Sequence, residues 1–375
     1  MRILVLDNNY PSDDNLYGDV FVHVRVARYV ALGHDVKVIA FFRDAPSYVF
    51  DGIAVDWAPD IDSLRAQIAA FAPDVVVIHF FQGWMLRKLV LASAQPVVVW
   101  VHGFEALWWV RRLFDASPTR QFAQYVFYNT IQMVRMRKLF RYATAHPRRV
   151  RFVFVSDWMR RIAETDTATR LCEYAIIPNP IDTTRFPYVD KAPELRRHVL
   201  LIRSFDSRKY ANDLAIAAIE RLSTEPEFAR MTFTVCGRGK LFAKLTDRLR
   251  RFPNVTLREG FLRQADIRAL HATHGVLLSP TRQDAQGVSM CEAMSSGLVP
   301  VTSASTAVPE FITHGHSGFL TRSAAELAAA MLTLQREPER FVAMSNAAAS
   351  SIRQKAAIDH VVDQEVRYLR RAVGQ

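Results

Sequence analysis

The segment at residues 279–301, SPTRQDAQGVSMCEAMSSGLVPV, carries the most structural information in this sequence. It reads as the end of a strand, a loop, a helix that begins near Gly287 and ends at Gly297, and a second apolar strand. Asp284 then lies in the loop and Glu292 in the second helical turn. A helix amino terminus suits a nucleotide diphosphate, and two carboxylates suit hydroxyl groups. In isolation, the same acids would be a helix cap and a solvated position.

The same alternation of short apolar runs, turn residues and amphipathic stretches extends over the whole chain, which is typical of βαβ units and parallel sheets. A first helix is predicted from near Gly18 to Leu32. The predicted strands are Arg2–Asp7, Val36–Ala40, Asp74–Phe80, Val97–His102 and Arg151–Ser156 in the first half, then His198–Arg203, Met231–Cys236, Val255–Glu259, Gly275–Ser279, Val299–Thr302 and Gly318–Thr321. The pattern predicts an α/β protein with two doubly wound domains.

Proline and charged residues near position 190 predict the division between these domains. We expect an N-terminal domain at 1–190 and a C-terminal domain at 191–360. Two such domains can place a ligand between the carboxyl ends of their strands. The pattern alone leaves open two unrelated α/β domains that share no site.

The composition limits the classes of protein that the chain can belong to. Its 375 residues are 50% hydrophobic and 23% charged, which excludes a largely disordered chain. A net charge of +11 favours an anionic partner, which could be a nucleotide, a nucleic acid or a lipid surface. Neither a bilayer-length apolar run nor a signal peptide is evident, so we expect a cytoplasmic protein. We expect the three cysteines to be reduced core residues.

Residues 279–301 resemble the donor-binding motif of retaining glycosyltransferases of the GT-B fold, family 4, in which seven positions separate two acidic residues. Asp284 and Glu292 have that spacing, and the similarity continues through Val308-Pro309-Glu310 and Gly318-Phe319-Leu320. The sequence departs from the family pattern in having Asp284 for glutamate and Ala285-Gln286 for Gly-Phe.

The resemblance implies two Rossmann-like domains that face a central cleft, with a C-terminal helix at about 361–375 returning to the first domain. It implies that Glu292 accepts hydrogen bonds from the nucleotide ribose. Asp284 and the backbone of Gly287 and Val288 would hold the transferred sugar.

A basic loop, residues 203–210, follows the first predicted strand of the second domain. It resembles a loop of the same family, which makes Arg203 and Lys209 the pair that neutralises the donor diphosphate. These cations would replace the divalent metal of other glycosyltransferases, so we expect no metal and no cofactor. Arg208 is an alternative to Lys209 in this alignment. By itself, such a loop would be solvated surface.

Four further residues are candidates through the resemblance. Gly18 occupies a loop that in the family approaches the donor phosphates, and His102 lies where the family has a histidine that contacts the donor sugar. Gly260 and Phe261 match a region near the nucleobase. His79 is a weaker candidate than His102. The sequence lacks a complete Gly-x-Gly-x-x-Gly pattern, which argues against NAD as a ligand.

The segment at residues 107–151 is rich in basic and aromatic residues and has Asp115 as its only acid. Its basic residues are Arg111, Arg112, Arg120, Arg135, Arg137, Lys138, Arg141, Arg148, Arg149 and Arg151. This composition suits contact with an anionic membrane, helped by Trp108 or Trp109. Nucleic-acid binding, or a helix pair that buries its aromatic residues, would explain the same composition.

These observations predict a retaining, metal-independent transfer of a sugar from a nucleotide-sugar donor to a glycan or lipid-linked acceptor. The expected setting is cell-surface polysaccharide or glycoconjugate synthesis, in the cytoplasm or at the inner face of the membrane, and no nucleic-acid partner is expected. The alternatives are a non-transferring GT-B enzyme such as a nucleotide-sugar epimerase, or a basic protein that binds membrane surfaces or nucleic acid.

Overall fold

Continuous runs of valine and isoleucine form the central strands of two parallel sheets, because strands covered by helices on both faces are apolar throughout. The computed structural model describes residues 1–16, 18–42 and 45–374. It divides into unit 1, Met1–Pro180 with Ile358–Gln375, and unit 2, Ile181–Ala357. The predicted α/β class with two doubly wound sheets is confirmed.

Unit 1 contains an eight-stranded sheet among its described residues. Its strands are β1 (Arg2–Leu6), β2 (Asp35–Phe41), β3 (Tyr48–Phe50), β4 (Ile53–Ala58), β5 (Val75–His79), β6 (Val97–Val101), β7 (Val150–Phe154) and β8 (Tyr174–Ile176). Its first four helices are α1 (Val20–Ala31), α2 (Ile61–Phe71), α3 (Arg120–Ala145) and α4 (Asp157–Thr167). The strand order is β3-β4-β2-β1-β5-β6-β7-β8, and only β3 runs antiparallel to its neighbour. Strands β3, β4 and β8 were not predicted.

Unit 2 contains a six-stranded parallel sheet in the order β11-β10-β9-β12-β13-β14. The strands are β9 (His198–Ile202), β10 (Thr232–Gly237), β11 (Val255–Glu259), β12 (Val276–Leu278), β13 (Val299–Ser303) and β14 (Phe319–Thr321). The helices are α5 (Asn212–Leu222), α6 (Phe242–Thr246), α7 (Gln264–Thr273), α8 (Val288–Ser295), α9 (Val308–Phe311), α10 (Ala324–Arg336) and α11 (Pro338–Ala356). The chain order reverses between β9 and β12, the position where doubly wound sheets bind ligands.

The final helix, α12 (Ile358–Ala372), belongs to unit 1, as the resemblance implies. Its buried residues Val361, Val362 and Leu369 join the core that contains Ile3 of β1. The helix begins three residues before the predicted start at 361.

The division between the units falls at Pro180, ten residues before the predicted boundary at 190. The intervening residues pack within unit 2. Phe186 is buried and its carbonyl accepts a 2.7 Å hydrogen bond from Ser295, while the Tyr188 hydroxyl donates to Asn346 at 2.6 Å. The proline-rich stretch is therefore anchored to unit 2 by specific contacts, which its composition does not reveal.

The cysteines depart from the prediction at one position. Cys236 and Cys291 are buried, and burial raises the pKa of the Cys236 thiol to about 11. Cys172 is exposed, so the expectation of a core residue is wrong there. It lies in the connection between α4 and β8, a short edge strand that the apolar pattern did not reveal.

Candidate active site

The loops after β9 and β12 carry four of the eight predicted site residues of unit 2. Arg203 and Lys209 follow β9, whereas Asp284 and Gly287 follow β12, and α8 begins at Val288. Because β9 and β12 are parallel neighbours, their carboxyl ends meet at one edge of the sheet. The structure therefore brings these residues together at the switch point of the strand order.

Arg203 is held at the amino-terminal end of α8. Its side chain is almost fully buried, and its Nη1 donates to the Ser289 hydroxyl at 3.1 Å. The same nitrogen lies 3.9 Å from Oδ2 of Asp284. The guanidinium carbon lies 5.4 Å from the ring centre of Tyr210, within cation–π range. A positive charge is thus fixed where the helix dipole is also positive.

Lys209 shares the Tyr210 ring with Arg203, since its Nζ lies 5.2 Å from the same ring centre. Arg282 holds the 203–210 loop in place. Its guanidinium donates to both Asp213 carboxylate oxygens at 2.7 Å. The backbone N–H of Arg282 also donates to the carbonyl of Lys209 at 2.8 Å. The Tyr210 ring therefore lies close to two cations, on a loop that Arg282 holds in place. The sequence did not predict this role for Tyr210.

Asp284 closes the loop that precedes α8. Its Oδ1 accepts hydrogen bonds from the backbone N–H of Gly287 at 2.7 Å and of Gln286 at 3.3 Å. Gly287 has φ +82°, a left-handed conformation that glycine adopts without steric cost. One carboxylate oxygen thus shapes the loop, as the helix-cap alternative anticipated, while Oδ2 faces Arg203.

Glu292 lies one turn into α8, and part of the residue reaches solvent. Burial of its carboxyl raises the pKa to about 8, against the attraction of Arg185, while Asp182 adds a smaller repulsion. Within the described residues, no donor forms a hydrogen bond to this carboxylate. It is a carboxyl without a protein hydrogen-bond donor that is partly open to solvent, so it can accept a hydrogen bond from a ligand hydroxyl group.

Gly260 and Phe261 follow β11, two strands away from β9. The backbone N–H of Gly260 donates to the Gly237 carbonyl at 3.0 Å. Phe261 is 64% exposed, and Arg238 lies over its ring at 4.9 Å. An exposed aromatic ring beside an arginine is a suitable surface for a flat ligand group.

Two glycines at the carboxyl end of β10, Gly237 and Gly239, were not predicted as site residues. A Cβ on Gly237 would lie 2.0 Å from the Arg203 carbonyl oxygen, and one on Gly239 would lie 2.4 Å from the Asp206 nitrogen. Both positions also have positive φ, so a larger residue would displace the 203–206 loop. Their spacing, Gly-x-Gly at the end of a predicted strand, was the available signal.

In unit 1, Gly18 lies in the loop between β1 and α1, and its neighbour Tyr17 is outside the described residues. A Cβ at position 18 would approach the Asn9 carbonyl oxygen to 2.5 Å and the Pro11 Cα to 2.8 Å. These are backbone atoms, which cannot move aside cheaply. Gly18 therefore allows the loop to fold tightly back on itself.

His102 follows β6, and its Nε2 lies 2.8 Å from Nδ1 of His79, the last residue of β5. The buried Glu105 accepts hydrogen bonds from the backbone N–H groups of His102 at 2.5 Å and Gly103 at 3.0 Å. Burial, with the nearby charge of Arg25, lowers the pKa of both imidazoles well below the usual range. Glu105 and Arg25 were not predicted, although a glutamate three residues after a strand end was a usable signal.

Two further acids lie beside Gly18. Asp7 follows β1, and Asp19 precedes α1. Burial raises the pKa of Asp7 to about 6 and that of Asp19 to about 9, with mutual repulsion contributing to the second value. At neutral pH, Asp19 therefore keeps its proton while Asp7 is mostly ionised, so this acid pair carries about one negative charge, in contrast to the cationic edge of unit 2.

Two family models match the chain in succession. Residues 19–185 match the model described as Glycosyltransferase Family 4, and residues 196–337 match the model described as Glycosyl transferases group 1. This chain is a glycosyltransferase of group 1, family 4. The predicted enzyme class is confirmed. No curated protein sequence is similar enough to match the glycosyltransferase.

Solved structures share the fold of this glycosyltransferase along its length. Sucrose-phosphate synthase (tll1590) from Thermosynechococcus elongatus superposes with a TM-score of 0.76 at 12% identity, covering 99% of this chain and 98% of that one. Anabaena Alr3699/HepE in complex with UDP and glucose superposes with a TM-score of 0.71 at 17% identity, covering 98% of this chain and 99% of that one. The pneumococcal O-GlcNAc transferase GtfA in complex with UDP and GlcNAc superposes with a TM-score of 0.67 at 12% identity, covering 100% of this chain and 99% of that one. At these identities the likeness shows the shared GT-B fold alone.

Within unit 2 of the glycosyltransferase, the predicted residues occupy two places. Arg203, Lys209 and Asp284 converge at the β9–β12 edge beside α8, which also carries Glu292, whereas Gly260 and Phe261 lie at the end of β11. Within unit 1, Gly18 and His102 follow different strands of one sheet edge. In the part of the chain that the structure describes, no three His, Cys, Asp or Glu side chains are grouped to hold a metal ion.

Proposed function

We propose that this glycosyltransferase moves a sugar from a nucleotide-sugar donor to a glycan or lipid-linked acceptor, with retention at the anomeric carbon and without a metal ion. The observation that carries the proposal is the pairing of Arg203 and Lys209 around Tyr210 beside α8. HepE and GtfA were solved with UDP, which makes UDP-sugars the first donors to test. Cell-surface polysaccharide or glycoconjugate synthesis is the proposed setting.

The two cations fit the charge that the reaction develops. When the bond between the sugar and the diphosphate breaks, its electron pair goes to the diphosphate oxygen, so negative charge grows there. Arg203 is held by Ser289, and Lys209 is held over Tyr210, so both are positioned before the donor binds. Preorganised charges of this kind stabilise a transition state without further reorganisation. The N–H groups at the start of α8 add to this field.

Hydroxyl groups would be bound by the two acids. Glu292 offers an unpaired carboxyl to the ribose, and Oδ2 of Asp284 remains for the transferred sugar, because Oδ1 is engaged with the loop backbone. The acceptor oxygen bonds to the anomeric carbon on the face that the diphosphate leaves, and its proton passes to the leaving phosphate oxygen. No protein nucleophile is assigned.

Thermal-shift measurements with UDP-, GDP- and ADP-sugars test the donor. A ligand at one hundred times its Kd adds about 2.7 kcal/mol to the free energy of unfolding, which is readily detected. NMR of the product's anomeric proton then tests retention, and assays with EDTA test metal independence. Inversion, or activity lost in EDTA and restored by magnesium, contradicts that part of the proposal. Donor isomerised or hydrolysed equally with and without acceptor would indicate an epimerase instead.

We further propose that α3 docks the enzyme on the inner face of an anionic membrane. The exposed surface of this helix includes Phe127 at 62%, Tyr128 at 68% and Val134 at 48%. Exposed basic residues follow in the next turns, and Arg137 and Lys138 have no ion-pair partner among the described residues. Phe127, Val134 and Lys138, spaced i, i+7 and i+11, lie on one face of the helix, and apolar and basic residues on one face suit the lipid interface. No helix in the described ranges has the length and apolarity needed to cross a bilayer.

The structure changes which residues of the 107–151 segment carry this proposal. The segment contains one long helix, α3, after a short 3₁₀ helix at Trp109–Asp115, so it is not a pair of α-helices. Trp108 and Trp109 are only half-exposed. Arg111 is bound by both oxygens of Asp166 and cannot contribute freely.

Vesicle sedimentation tests the docking. A lysine or arginine near an anionic leaflet contributes about 1 kcal/mol, so binding should rise with the anionic lipid fraction and fall with salt. Replacing Arg135, Arg137, Lys138 and Arg141 together with glutamine should abolish it. The matched control replaces four exposed arginines of unit 2, Arg221, Arg230, Arg250 and Arg258, so that the net charge changes equally. Equal losses in both variants, or no wild-type binding at low salt, would contradict docking through α3.

A further inference from the structure

A buried ion pair joins the C-terminal helix to the first helix of unit 1. Arg25 of α1 and Glu365 of α12 are both fully buried, and Nε of Arg25 lies 3.2 Å from Oε1 of Glu365. Tyr29 donates a hydrogen bond to the other oxygen of Glu365, and Arg25 donates to Oδ1 of Asn179 at 3.0 Å. These contacts leave Arg25 little freedom to move.

The same arginine reaches the pair of histidines at the sheet edge. Its Nη1 lies 3.4 Å from Nδ1 of His79, and that Nδ1 lies 2.8 Å from Nε2 of His102. Glu365, Arg25, His79 and His102 thus form a continuous chain of polar contacts from α12 to the end of β6. Burial and the arginine charge both disfavour a second proton on either ring.

A neutral histidine pair can share one hydrogen bond in two ways. Either His102 donates from Nε2 to Nδ1 of His79, or His79 donates from Nδ1 to Nε2 of His102. Nε2 of His79 and Nδ1 of His102 are buried without partners among the described residues. Each arrangement therefore leaves one unpaired N–H and one unpaired lone pair, so these atoms do not decide between them.

Arg25 decides between the two arrangements, because a guanidinium only donates hydrogen bonds. A proton on Nδ1 of His79 would point its positive end toward the N–H of Arg25. A lone pair on that nitrogen instead attracts both Arg25 and the Nε2–H of His102. The favoured arrangement places the proton of His102 on Nε2 and leaves Nδ1 of His102 as an acceptor.

We infer that Glu365 and Arg25 are positioning residues that fix, through His79, the tautomer of His102 in which Nδ1 accepts a hydrogen bond from a ligand hydroxyl group. His102 would then recognise a hydroxyl donor, such as a sugar hydroxyl, and reject a group that can only accept. The identity of the ligand as a sugar rests on the proposed function, whereas the tautomer does not.

Long-range proton–nitrogen NMR of histidine-labelled protein measures the tautomer without any ligand. The His102 signals are assigned by their loss in His102→Gln. We expect Nδ1 of His102 to show the shift of an unprotonated nitrogen and Nε2 that of a protonated one. A protonated Nδ1 overturns the inference and leaves the proposed donor chemistry standing. Conversely, if no UDP-, GDP- or ADP-sugar raises the unfolding temperature, the proposed function fails but the measured tautomer of His102 still stands.

Variants of the buried pair test the positioning role. Glu365→Gln removes the charge that holds Arg25, and the double variant Arg25→Met/Glu365→Met removes both charges if the single variant does not fold, because apolar replacement of a buried pair is tolerated. We expect partial protonation of Nδ1 of His102, with kcat/KM for the nucleotide sugar reduced about tenfold and the Kd of the nucleoside diphosphate unchanged. Asp363→Asn, exposed on the same helix, is the control. An unchanged tautomer in the double variant overturns the inference.

Discussion

Glu292 should release a proton when the enzyme binds its donor. Burial raises the pKa of this carboxyl to about 8, so about nine in ten molecules hold it protonated at pH 7. Ribose hydroxyls donate hydrogen bonds, which favour the ionised carboxylate and lower its pKa. If the bound form is ionised, binding at pH 7 costs about 1.4 kcal/mol for removal of the proton. Affinity should therefore rise about tenfold between pH 7 and pH 9.

Isothermal titration calorimetry with a nucleotide sugar, in buffers of different ionisation enthalpy, measures this proton directly. We expect about 0.9 proton released at pH 7 and about 0.1 at pH 9. Glu292→Gln should release none from this site. Its loss of affinity should grow with pH, to about 1.5–3 kcal/mol where the wild-type carboxylate is already ionised.

A matched variant, Glu339→Gln on the exposed side of α11, should behave as the wild type. Thermal unfolding gives an independent check of the same pKa. Because the folded pKa lies above the unfolded one, the folded chain binds more protons between about pH 4.3 and 8, so this group makes the free energy of unfolding fall as pH rises through that window. Glu292→Gln should lack that fall. Tight wild-type binding at pH 7 with no proton released would refute the reasoning.

Three further predictions concern other parts of the enzyme. Arg203→Ala and Lys209→Ala should each lower kcat more than they weaken donor binding, because negative charge grows on the diphosphate in the transition state; equal effects on Kd and kcat would contradict this. Gly18→Ala should lower the free energy of unfolding by about 1–3 kcal/mol more than Gly52→Ala, where a Cβ meets no atom, as denaturant titration can measure. A thiol reagent should modify Cys172 alone in the folded enzyme and reach the two buried thiols only after denaturation.

Local signals in the sequence predicted the elements around the unit 2 site closely. The glycines at 287 and 297 bracketed a helix that the structure places at Val288–Ser295. A glycine at a helix boundary acts through the conformation of the adjacent residues in the chain. It therefore predicts where a helix ends without knowledge of the fold. Strand β8 lacks such a signal, since it has only three residues and exposed sides. Strand β3 was missed although Asp51-Gly52, a two-residue hairpin turn with positive φ at both positions, follows it directly.

Contacts between distant positions could not be predicted in the same way. Glu365 sits in a helix rich in charged residues and looks like a solvated position, yet it is fully buried against Arg25. The two residues are far apart in sequence, and their pairing depends on where α12 packs. The role of Tyr210 could likewise not be predicted, because it depends on the side chains of Arg203 and Lys209 both lying near its ring.

The position of α12 also sets the order in which the enzyme can be completed on the ribosome. Arg25 is made early, but its counter-charge, Glu365, follows the whole of unit 2 in the chain. At about 5–20 residues per second, roughly ten to thirty-five seconds of synthesis separate the end of β8 from α12. During that interval unit 2 can bury its own core, whereas unit 1 holds a cation that lacks its partner. The core of unit 1 therefore stays incomplete until the last helix of the chain has been made, although its strands are made first.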